Sequence, residues 1–217
     1  MRPLKLSALT FAALLLGGCA SLDQATSSLN CMLARVTGSA GASCGGDSAA
    51  STQSAQGDRF DKLQAVLDQE AAQARQAQEQ AVNAMQKLPP SQRAVAGPVH
   101  MLNVNITDSQ SHRTRTMSTL DSITVDMPLA AKGSPEYTQA MDGLKALANQ
   151  LADNRGSASI TVEQTEADIQ ARRVNTATGT SKSPQGSPVS VYKKTSRSLP
   201  AGMERYTIQA GEIRGKL

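Results

Sequence analysis

From Asp58 to Leu88 the chain runs with no glycine and no proline, and then it meets Pro89-Pro90. Almost every residue in DRFDKLQAVLDQEAAQARQAQEQAVNAMQKL is a strong helix former. The stretch therefore predicts one helix rising about 46 Å at 1.5 Å per residue. Asp58 suits its N-cap, Asp61 its first turn and Lys87 its last. The prolines end it, because they lack a backbone N–H and push the preceding residue out of the α region. Written as heptads, one seam holds Phe60, Leu67, Ala74, Ala81 and Leu88, and the other holds Leu63, Glu70, Ala77 and Ala84. Only Glu70 breaks the apolar pattern. Two arrangements fit this spacing. One is a thin coiled-coil seam that joins copies weakly, since alanine buries little. The other is a single spacer helix whose narrow stripe lies on a domain.

Residues 89–98 (PPSQRAVAGP) read as a Pro-rich linker, which leaves 99–217 as the folded part. Residues 99–107 alternate and are rich in Val, Ile and Leu, which predicts a strand. Residues 113–117 and 120–129 predict two more, the latter ended at Pro128. Ser134-Pro135-Glu136 supplies a cap, a proline at the first helical position and an acid in the first turn. Tyr137, Ala140, Met141, Leu144, Leu147, Ala148 and Leu151 then share one helical face, and Asp153-Asn154-Arg155-Gly156 stops the helix. A strand over 158–163 completes a strand–helix–strand unit. Residues 166–174 suit a short helix and 175–188 a loop; strands at 189–195 and 205–210 suggest a closing hairpin. The expected fold is α+β: a small sheet with one well-defined packed helix, preceded by a flexible tether and the long Ala/Gln-rich helix. Aromatic residues are 2% of the chain and tryptophan is absent, so the core must be built from Leu, Val, Ile and Met, without a deep aromatic pocket.

The N-terminus carries an address. Arg2 and Lys5 precede an apolar run from Leu6 to Leu16, too short for the roughly 20 residues of a membrane-spanning helix. Residues 1–18 therefore read as a secretory signal. The run ends in Leu16-Gly17-Gly18-Cys19, which resembles the lipobox of bacterial lipoproteins. The resemblance implies diacylation of Cys19, cleavage just before it, and acylation of the new amine (palmitate being the usual acid). Two or more acyl chains meet the requirement for stable anchoring in a lipid membrane. By the sorting rule of enteric-type lipoproteins, Ala20 in place of Asp implies the outer membrane, with the protein facing the periplasm. Residues 19–57, rich in Ser, Ala, Gly, Thr and Gln, read as a lipidated flexible tether. With Cys19 lipidated, Cys31 and Cys44 remain as a pair that an oxidising compartment favours joining. Such a bridge would add about 3 kcal/mol at most in the chain-entropy model. The alternative is a pair of free, reactive or metal-binding thiols.

The formal charge of +4 is unevenly spread. Residues 99–171 hold nine acidic side chains against five basic. Residues 172–217 hold nine basic ones (Arg172, Arg173, Lys182, Lys193, Lys194, Arg197, Arg205, Arg214, Lys216) against two acidic. That half can pair with the acidic half or meet an anionic polymer, lipid headgroups or an acidic protein. Only Tyr192 and Tyr206 interleave it, too thin a set to stack bases, so nucleic acid is not expected. No G-x-S-x-G elbow and no H-E-x-x-H spacing occur. His100 and His112 would need bringing together with Asp108 or Asp126 to hold a metal, so neither a metal nor a cofactor is expected. Asp121 and Asp126, five apart on one strand, should lie on opposite faces. These readings point away from an enzyme.

From Ile123 to Val174 the chain resembles the OmpA-like peptidoglycan-binding domain. ITVDM, PEYTQAMDGLKALANQLADNRG and ASITVEQTE follow that family's order of strand, amphipathic helix and strand. The family grips the ionic ends of the diaminopimelate stem peptide with an Asp and an Arg. That role would fall on Glu166, after Thr165, with Arg172 and Arg173 following sooner than the family's Arg does. Together the sequence predicts a non-enzymatic outer-membrane lipoprotein: a periplasmic spacer and binding module within an envelope, secretion or surface-assembly complex. A degenerate wall-binding tether is the alternative, and an envelope hydrolase a remote one.

Overall fold

The computed structural model describes residues 55–171 and 178–213. Helix α1 spans Ala55–Ala84, beginning a turn before Asp58 and ending ahead of the prolines. Past Ala84 the backbone tightens into i→i+3 bonds, such as Met85 N to Val82 O at 3.1 Å. Strands β1 (Val95–Thr107) and β2 (Thr114–Pro128) follow. Helix α2 covers Pro135–Arg155, and β3 (Ala158–Gln164) leads into the one-turn α3 (Glu166–Gln170). Strands β4 (Gly179–Lys182), β5 (Pro188–Thr195) and β6 (Met203–Ala210) complete the chain.

The six strands form one mixed sheet in the order β1-β2-β6-β3-β5-β4, and the fold is α+β. β3 and β5 run parallel; every other neighbouring pair is antiparallel. The expected closing hairpin is absent: β5 and β6 are next to one another in sequence, but β3 lies between them. Residues 113–117 and 120–129 form one strand, because Ser118 and Thr119 continue the ladder. The 89–98 segment is linker only in part, since Pro90–Gln92 is a 3-10 turn and β1 starts at Val95.

Of the two arrangements for α1, the apolar stripe lies on the domain of its own chain instead of facing a second copy. Phe60, Leu63, Leu67, Ala74 and Ala81 are buried inside this chain, against β2 and α2. Two polar residues, Glu70 and Gln78, explain how a helix so poor in large apolar groups is held. Glu70 accepts from Arg155, the last residue of α2: Nε lies 2.9 Å from Oε2, and Nη2 contacts the same oxygen. That Nη2 also donates to Thr119 Oγ1 at 2.6 Å. Gln78 donates to Thr124 O at 2.7 Å and to Gly97 O at 3.0 Å, where β1 slips register between Ala96 and Val99. Gly97 is required there, because a Cβ would lie 2.9 Å from the Thr124 side chain.

α2 forms as its local signals dictate. Ser134 Oγ accepts from Tyr137 N at 3.1 Å, Pro135 occupies the first position, and Gly156 ends the helix at φ 79°. Its buried face, Tyr137 to Ala152, packs on β6, β3 and β5 beside α1. The opposite sheet face carries three polar rows: Asp126–Arg205–Glu163–Lys194, Thr124–Thr207–Thr161–Tyr192 and Ser122–Gln209–Ser159–Ser190.

Candidate functional site

Beside the N-terminal half of α2 the sheet leaves a groove of about 480 Å³. Register builds its floor. Ile160 of β3 lies between Ile208 of β6 and Val191 of β5, and Val162 lies beside Tyr206. Lys132, Tyr137, Met141 and Lys145 form the wall. The floor and Met141 offer apolar surface, while Lys145 pairs with Asp142 at 3.8 Å on the rim.

One end of the groove is polar. Glu204, fully buried, is the next inward residue after Tyr206 along β6. Its carboxyl group takes four donors: Tyr206 Oη at 2.8 Å, Tyr137 Oη at 3.0 Å, Gln164 Nε2 at 3.0 Å and Lys132 Nζ at 3.2 Å. The two phenols lie 3.0 Å apart. Burial, with the Glu204 charge adding to it, pushes both phenols well above the usual tyrosine range, so they stay protonated hydrogen-bond donors. Such a cluster fixes orientation at one end of an apolar slot, an arrangement suited to holding a ligand group.

The residues singled out from sequence fall elsewhere. Cys19, Cys31, Cys44, Arg172 and Arg173 lie outside the described residues, as do the signal, the tether up to 54, Arg214 and Lys216. Glu166 is exposed in the first turn of α3 and accepts from Gln170 Nε2 at 3.1 Å. Two residues on, Asp168 is buried: it accepts from Thr165 Oγ1 at 2.6 Å and from Gly202 N at 2.9 Å, tying α3 to the turn before β6. Asp121 does not oppose Asp126. The register slips there, and both carboxylates reach the polar face, Asp121 to Gln209 at 3.3 Å and Asp126 to the Arg205 fork at 2.7 and 2.9 Å. That fork, by its hydrogen bonds first, holds Arg205 charged even more firmly than usual. Asp108 caps the turn between β1 and β2: it accepts from Gln110 N and Ser111 N, and Arg59 lies 3.3 Å away. Those amide bonds chiefly, with the Arg59 charge, hold its carboxyl below the ordinary range. Among the described residues no group of three His, Cys, Asp or Glu is placed to hold a metal ion.

Of the basic half, Lys182, Lys193 and Arg197 are exposed and Lys194 pairs with Glu163 at 3.6 Å. Tyr192 stands exposed while Tyr206 is buried, so the two do not form a stacking surface. The sequence reading missed the Glu204 cluster. The only local trace of it is an acid at an inward position of a strand, Glu204 between Met203 and Arg205.

No protein-family model, curated protein or solved structure matches this chain.

Proposed function

We propose that this chain is a lipid-anchored binding protein of the bacterial envelope. Acylated Cys19 holds it at the outer membrane, and the domain from α1 to β6 docks a protein partner on the periplasmic side without catalysing a reaction. The groove is the observation that carries the docking reading: an apolar floor of Ile160, Val162 and Val191, closed at one end by hydroxyl and ammonium donors fixed around Glu204. It suits an apolar side chain of an envelope protein, with a neighbouring backbone carbonyl accepting from the Lys132 ammonium, since each tyrosine hydroxyl already donates to Glu204. The anchor rests on Leu16-Gly17-Gly18-Cys19. Because α1 is part of the domain, the reach from the membrane falls to residues 20–54.

Labelling with a palmitate analogue tests the anchor: wild type takes up label and Cys19→Ala does not. A photo-crosslinker at Met141 tests the docking. It should capture one defined envelope protein, and the yield should fall when Val191→Asp puts a charge on the floor. An unlabelled wild type ends the anchor reading; no adduct, or one indifferent to Val191→Asp, ends the groove reading.

A second reading, an OmpA-like wall tether, is favoured by the exposed carboxylate of Glu166 just past the C-terminal end of β3. It predicts co-sedimentation with bare sacculi that survives moderate salt and drops in Arg172→Ala/Arg173→Ala.

A further inference from the structure

The sheet ends at β1, and among the described residues only β2 pairs with it. A free edge presents N–H and C=O groups that template another strand, so edges are usually blunted by lysine, proline or a bulge. β1 is protected in its first half only. Pro98 lies there, and both register slips fall no later than His100–Met101. From Met101 to Thr107 the ladder with β2 is unbroken and no residue is charged. This half also holds Leu102, which is 51% exposed.

The polarity of this half is a palindrome. Leu102-Asn103-Val104-Asn105-Ile106 reads apolar, polar, apolar, polar, apolar from either end. The geometry points to antiparallel pairing of β1 with β1 of a second copy of this chain, about a two-fold axis at Val104. In that register Asn103 faces Asn105 of the second copy and Leu102 faces Ile106 of the second copy, each pairing occurring twice by symmetry. Asn105 Oδ1 already accepts from Thr116 Oγ1 at 2.7 Å. Its amide N–H groups are then the ones left to donate to Asn103 Oδ1 across the axis. Leu102 gives up part of its exposure against the strand of the second copy, at the margin of the core in which Ile106 is already buried. The palindrome argues for a second copy as the occupant: read antiparallel about Val104 the strand matches itself like to like, and with no charge in 101–107 it brings no repulsion against itself.

Sedimentation equilibrium of the full chain in density-matched detergent, from about 1 to 100 µM, reads the association. The wild type should dimerise. Asn103→Lys should weaken the dimer about tenfold, since each lysine meets an asparagine side chain it cannot replace. Adding Asn105→Glu to Asn103→Lys should restore it to within about threefold, because lysine then faces glutamate twice across the axis. Both asparagines are exposed, so thermal unfolding at a concentration where every variant is monomeric should be unchanged, which separates loss of pairing from loss of fold. A monomeric wild type at every concentration overturns the proposal. So does a dimer indifferent to Asn103→Lys, or a double variant no tighter than the single one.

Discussion

Removing Glu70 takes the counter-charge from a guanidinium that the fold has withdrawn from water. The side chains of Arg155 and Glu70 are each 2% exposed, and among the described residues Thr119 supplies the guanidinium's one other hydrogen bond. After Glu70→Ala, five guanidinium N–H groups share a single hydroxyl. Breaking one side of such a buried pair costs about 3–5 kcal/mol. For a domain of this size each kcal/mol moves the thermal midpoint by about 2–4 °C, so it should fall by about 6–20 °C. Arg155→Met should cost a similar amount, by leaving Glu70 unpaired. The double variant Glu70→Leu/Arg155→Met leaves no buried charge at this site and should regain most of the loss, because well-packed apolar pairs replace buried ion pairs at little cost. Urea unfolding at pH 7, followed by far-UV circular dichroism on all four proteins, closes the cycle. Single variants each within about 1 kcal/mol of wild type, or a double variant as unstable as the sum of the singles, would refute the role assigned to the pair.

Three further outcomes are expected. Tyr137 and Tyr206 titrate above the ordinary value of 10.0, so their contribution is complete below pH 10 and is lost as pH rises past it; Tyr206→Phe should flatten that alkaline limb in a stability–pH profile. Asp108 titrates below 3.8, so its contribution is present above about pH 4 and is lost as pH falls through the lower folded value; the stability gap between wild type and Asp108→Asn should narrow in acid. Gly97→Ala should cost about 1–3 kcal/mol by urea titration, because its methyl group collides with the Thr124 side chain.

α2 was legible because its instructions are local. Ser134, Pro135 and Gly156 act within a turn of its ends, and its apolar face recurs at helical spacing. β-strand segments were legible for the same reason, but their partners were not. The 196–202 segment reads as the turn of a hairpin, yet it carries the chain across β3. Ser118-Thr119 reads as a break, yet Thr119 is a buried strand residue facing Arg155. Polar residues inside α1 misled most. Glu70 looks like a flaw in a heptad until Arg155, 85 positions away, is opposite it. Gln78 looks like a solvated residue until the bulge in β1 needs its amide. The groove was hidden likewise, since Glu204 and Tyr137 stand 67 positions apart. Each of these is a pairing over long sequence separation, and periodicity carries no trace of it.

β6 is the last strand made and lies in the interior of the sheet. Without it, β1–β2 and β3–β5–β4 share no ladder. Thr124 and Thr207, neighbours across that seam, are 83 positions apart, so a long loop has to close before the seam can form. Glu204, Tyr206 and Ile208 also complete the core beneath α2. The order of synthesis and the order of assembly are therefore opposed: a growing chain carries the two halves of its sheet unjoined until Met203–Ala210 has been made. A chain cut before Met203 keeps only the β1–β2 and β3–β5–β4 ladders, with nothing to join them.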